Sequence, residues 1–100
     1  MPRFMITRTL PPLTPAQLEQ VRVESTRVCN QLGITWVRSH LTADGKHSFC
    51  EYDAPSEEAV REHGRISKIP IDEISLLGME LGPSRVSSPS ASSASGSPSG

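Results

Sequence analysis

The chain is short of aromatic residues, with two Phe, one Trp and one Tyr among its 100 positions. It has only two cysteines, Cys29 and Cys50, too few for a disulfide framework. Both are expected as free thiols in a cytoplasmic protein. No apolar run approaches the ~20 residues of a membrane span. The opening MPRFMITRTL also lacks the apolar core of a secretory signal. Nor is there an excess of one charge: ten Lys and Arg against eleven Asp and Glu leave a net charge of −1. Without a basic field, neither nucleic acid nor a membrane surface is an expected partner. The motifs GxGxxG, GxxxxGK[ST], HExxH, CxxC and GxSxG are absent. Nucleotide hydrolysis and serine hydrolysis lose their support.

What remains reads as one small domain over residues 1–83 followed by a tail over 84–100. From Ser87 to Gly100 the chain is only Ser, Pro, Ala and Gly. Such a composition buries too little surface to offset its ordering entropy, so the tail is expected to be disordered. Arg3 to Leu10 is rich in β-formers and stops at Pro11-Pro12, which predicts a first strand. Thr14, Pro15 and Gln17 form a capping-box start. The stripe Leu18, Val21, Ser25, Val28 and Leu32 has helical spacing, and Gly33 suits a C-terminal cap, so residues 15–32 are predicted as a helix.

Ile34–Thr42 and Lys46–Asp53 flank Asp44-Gly45, a hairpin signal. With those two as the central turn residues, Leu41 faces Ser48, Ser39 faces Cys50, Arg38 faces Glu51 and Val37 faces Tyr52. Alternation puts Val37, Ser39, Leu41, Ser48, Cys50 and Tyr52 on one face. Trp36, Arg38, His40, His47, Phe49 and Glu51 fall on the other. The first face has no formal charge and is expected to lie under helices. Ser56 caps a second helix whose inner stripe is Ala59, Val60, His63 and Ile66. Ile71 to Leu81 predicts a last strand, with Gly78 as a bulge.

The order β-α-β-β-α-β predicts an α+β, ferredoxin-like fold: a four-stranded antiparallel sheet with two helices on one face. The other sheet face is then bare and shows Trp36 and Phe49 among charges. A homodimer packed sheet to sheet, an α+β barrel, is expected to cover it.

Two clusters carry possible chemistry. Cys50, Tyr52 and His63 all point between the third strand and the second helix, where imidazole and thiolate suit nickel, zinc or copper. The bland alternative is a core histidine bonded to a tyrosine beside a buried thiol. His40 and His47 are diagonal neighbours on the bare face, and a dimer repeats them to four imidazoles. There the bland alternative is a polar rim in which Arg38 pairs with Glu51.

The run WVRSHLTADGKHSFCEYDAPSEEAVREHG resembles small bacterial ferredoxin-like domains, formerly of unknown function, that are commonly described as nickel-binding. The resemblance spans residues 2–82. It rests on an MPRF-like opening, a TPxQL helix start, a W-V-x-S hairpin, F-C-x-Y-x-A-P and E-A-x-R-E-H, here Trp36, Ser39, Phe49, Cys50, Tyr52, Ala54, Pro55, Glu58, Ala59, Arg61, Glu62 and His63. Family members often carry an aromatic residue where this chain has His40. The leading expectation is a dimeric, non-enzymatic protein that binds a divalent transition metal, nickel by the resemblance. The two residue clusters supply the candidate ligands: His63 first, Cys50 and Tyr52 next, with His40 and His47 as a second cluster. The alternative is a cofactor-independent monooxygenase- or isomerase-like barrel holding a small organic ligand between sheet and helices. Trp36, Tyr52, Cys50 and His63 would line its pocket. A pocket of a few hundred Å3 would favour that alternative.

Overall fold

The computed structural model describes residues 1–84; residues 85–100 of the expected tail lie outside that range. The elements are β1 (Arg3–Thr9), α1 (Pro15–Leu32), β2 (Thr35–Leu41), β3 (His47–Asp53), α2 (Glu57–Ser67) and β4 (Glu73–Leu77). The sheet has the order β2-β3-β1-β4, antiparallel throughout, the ferredoxin-like arrangement predicted from the element order. Among the described residues no helix is long and apolar enough to cross a membrane.

Local chemistry sets the helix ends. The Thr14 hydroxyl accepts from the Gln17 backbone N–H at 3.1 Å, and the Thr14 N–H donates to Gln17 Oε1 at 2.8 Å. Pro15 occupies the first turn, where its missing N–H costs nothing. Gly33 closes α1 with φ of 71°, a left-handed conformation that a residue without Cβ adopts freely. Ser56 caps α2 by accepting from the Ala59 N–H at 3.2 Å, and Glu57 and Glu58 sit where the helix dipole favours acid. The position after α2 is less comfortable. Lys68 takes φ of 62° without being glycine.

Alternation along β1 sends Phe4, Ile6 and Arg8 toward the helices. On β3 it sends Ser48, Cys50 and Tyr52 the same way. With Cys29, Ile34, Ala54 and Val60 these apolar residues form the core, and Val28 is buried beside them.

Three expectations need correction. The Asp44-Gly45 turn is not a two-residue loop: Thr42 N–H bonds His47 C=O, Gly45 N–H bonds Thr42 C=O, and residues 43–46 form the connection. The register from Leu41–Ser48 to Arg38–Glu51 is nevertheless as expected, because both loops keep the same pairing sum. Upstream the register slips at a bulge between Trp36 and Arg38, so Tyr52 pairs with Trp36 rather than Val37. The extra residue restarts the alternation, and Trp36 moves from the bare face to the helix side. Its ring meets Tyr52 edge-on at 6.3 Å and its Nε1 donates to Ser39 Oγ at 2.8 Å. Finally, β4 stops at Leu77 rather than Leu81, and Gly78 follows the strand instead of bulging it. The reason is the partner: Leu77 pairs with Arg3, the first residue of β1, so nothing remains for 78–81 to pair with.

Candidate ligand and metal sites

Between sheet and helices lies a buried polar chain that starts at His63. Its ring Nε2 is 3.0 Å from Ser25 Oγ, which is 3.2 Å from the Tyr52 hydroxyl. That hydroxyl accepts from Arg8 Nη2 at 3.2 Å, and Arg8 Nη1 donates to the Ile69 and Pro70 carbonyls at 3.3 and 3.2 Å. Each member comes from a different element: β1 gives Arg8, α1 Ser25, β3 Tyr52 and α2 His63. His63 is 0% exposed and its Nδ1 has no partner among the described residues.

The electrostatics follow from burial beside a cation. Desolvation, with the Arg8 guanidinium next in weight, pushes the His63 imidazolium down to about 4. Desolvation also pushes the Tyr52 phenol up to about 12, against the opposing pull of Arg8. Burial raises the Cys29 thiol as well. At neutral pH the chain of groups therefore holds one fixed charge, on Arg8, among neutral neighbours.

Tyr52 and His63 do converge, with ring centroids 5.1 Å apart. Cys50 does not join them through a hydrogen bond; its Sγ–H points to Ser48 Oγ at 3.8 Å. Both cysteines are free, as expected, and both are buried. Among the described residues no group of three or more His, Cys, Asp and Glu side chains is placed to hold a metal ion. Arg8 carries no motif and escaped sequence reasoning as a site residue. The signal was the β1 alternation, which puts it on one face with Phe4 and Ile6.

A cavity of about 440 Å3 lies between α1 and the β2–β3 hairpin. Trp36, Cys50 and Tyr52 line it, together with Arg8, Leu18 and Val21. His63 is not part of the lining, but it touches two residues that are: Ser25 by a hydrogen bond and Tyr52 by an edge-on ring contact.

On the opposite sheet face, His40 pairs with Phe49, and His47 with Thr9 of β1. His40 and His47 are both exposed. They are diagonal neighbours across the hairpin, a relation that corresponds to roughly 7–8 Å between backbones. Glu51 is engaged by Arg38, whose Nη1 lies 3.0 Å from both carboxylate oxygens. Arg3 also approaches Glu51, at 3.7 Å.

Residues 4–76 match the model of the family described as nickel responsive protein SCO4226-like. The chain belongs to this family. In fold it is similar to the crystal structure of SCO4226 from Streptomyces coelicolor A3(2), with a TM-score of 0.70 and 20% identity. That match covers 79% of this chain and 99% of the other. No curated protein matches the sequence. The family description speaks of nickel responsiveness and names no residue.

Proposed function

We propose that the protein binds a divalent transition ion, nickel foremost, on the open face of its sheet, with His40 and His47 as donors. The observation that carries this reading is membership, over residues 4–76, of a family described as nickel responsive. The donor chemistry agrees with it, since imidazole nitrogen suits nickel, zinc and copper. Both imidazoles are exposed and neighbouring, so neither has to leave a hydrogen bond inside the protein.

The buried cluster suits an ion less well. His63 Nε2 is committed to Ser25, and the Tyr52 phenol would have to ionise against its desolvation before it could ligate. Cys50 points to Ser48. Two imidazoles alone leave an ion with open coordination positions. A second copy stacked on the same sheet face would bring two more, in the homodimer expected from the sequence. That face shows Phe49, 41% exposed, and Leu77, 38% exposed, which a partner copy would cover.

Calorimetric titration of chelator-stripped protein with Ni2+ and Zn2+ tests the reading, run beside His40→Ala/His47→Ala and His63→Gln. Saturable binding lost in the double variant and kept in His63→Gln is the expected result. Ligation needs neutral imidazole, so affinity at pH 5 is expected to be about tenfold or more below that at pH 7.5. No binding by the parent, loss only in His63→Gln, or equal affinity at both pH values would overturn it.

A further inference from the structure

We propose that the cavity between α1 and the β2–β3 hairpin binds a small organic monocarboxylate with an aromatic or branched apolar body, its carboxylate received by Arg8. This site is independent of the metal reading and lies on the other side of the sheet from His40 and His47. Its volume, about 440 Å3, falls within the ~300–1,000 Å3 of small-ligand pockets. Leu18 and Val21 of α1 and Trp36, Val37 and Leu41 of β2 give it apolar walls.

The charges on the lining are all of one sign. Arg8, Arg22 and Arg38 line the cavity, and no Asp or Glu does. Arg22 and Arg38 are exposed and already bonded to Glu19 and Glu51. Arg8 differs from both. It is 3% exposed, and no acidic side chain among the described residues lies within 4 Å of it. Its hydrogen bonds go to neutral oxygens: the Tyr52 hydroxyl and the Ile69 and Pro70 carbonyls.

A guanidinium does not shed its proton in a protein, and buried charges are ordinarily paired. Arg8 is therefore a buried cation with no counter-charge among the described residues, placed on the wall of a cavity. A carboxylate entering that cavity supplies the missing charge and gains a charge-assisted hydrogen bond in a poorly screened setting. The single buried cation and the apolar walls select a monoanion. A second negative charge on the ligand would be desolvated against Leu18, Val21 and Trp36 without a partner.

Trp36 is the sole tryptophan and lines the cavity, so its fluorescence reports occupancy. The full chain in metal-free buffer is titrated with phenylacetate, benzoate and 4-methylpentanoate, and with the uncharged phenylacetamide. A saturable change in Trp36 emission is expected with at least one acid, at an affinity about tenfold or more above that of the amide. Arg8→Met is expected to weaken acid binding about tenfold or more. Because Arg8 also holds the Ile69 and Pro70 carbonyls, a second variant keeps the test sound. Val21→Phe fills the cavity from α1 with Arg8 intact, and should abolish the response while the far-UV circular dichroism stays unchanged. The proposal is overturned by no saturable response to any of the three acids up to about 10 mM. Equal affinity for the amide, or full binding by a folded Val21→Phe variant, overturns it as well.

Discussion

Acidification should destabilise this fold through one residue, and the size of the loss can be worked out. His63 is fully buried, accepts or donates a single hydrogen bond to Ser25, and has its imidazolium pushed down to about 4 in the folded protein. In the unfolded chain a histidine titrates near ~6.5. Between these values the unfolded state binds the proton and the folded state does not, so stability rises with pH across that window. The stabilisation is fully present above about pH 6.5 and is lost progressively as pH falls toward about 4. A gap of some two and a half pKa units corresponds to about 3 kcal/mol in all, of which about 2.5 is gone by pH 4.5. That is a large share of the ~5–10 kcal/mol typical of a domain this small. Urea unfolding at pH 7.5, 6.5, 5.5 and 4.5 measures it, with His63→Gln alongside to subtract the titration of the surface carboxylates. The difference between parent and variant should shrink by about 2–3 kcal/mol from pH 7.5 to 4.5. A difference that stays constant over that range would refute the reasoning.

Further predictions concern the same interior and the end of α2. Tyr52→Phe removes the hydroxyl that joins Arg8 to Ser25, and leaving a buried guanidinium N–H unpartnered should cost about 1–3 kcal/mol, read as a Tm lower by about 5–15 °C. An unchanged Tm would mean that the bond carries nothing. Lys68→Gly relieves a left-handed backbone conformation and should raise stability by about 1 kcal/mol in urea unfolding; a loss of stability would show that the Lys68 side chain matters more than its φ of 62°. Arg38→Ala breaks an exposed pair with Glu51 and should shift stability by less than about 1 kcal/mol, with a larger loss in the same assay pointing to a structural role for that ion pair.

The parts of the fold that were legible in the sequence are those decided by nearby residues. Thr14 and Gln17 are three apart and cap each other, and Gly33 supplies a left-handed end. The hairpin register near the turn follows from where its loop is centred, on Asp44-Gly45, whichever loop length is adopted. What escaped depends on partners far along the chain. The bulge at Val37 has no glycine to mark it and shows only when β2 is laid against β3, yet it decides which face Trp36 occupies. The end of β4 is set by where β1 begins, at Arg3. The site was half legible for the same reason. Helical spacing put His63 on the inner face of α2, and alternation put Tyr52 on the inner face of β3. Their meeting through Ser25, and the buried cation behind them, needs all four elements in place.

The central claim, a divalent ion on the open sheet face, is tested most directly by following the three histidine rings in NMR spectra during a Ni2+ titration. Paramagnetic broadening should take the His40 and His47 imidazole signals first and together, leaving the His63 ring signal sharp at the same metal ratio. Broadening that begins at His63, or no selective broadening of any imidazole, would contradict the account.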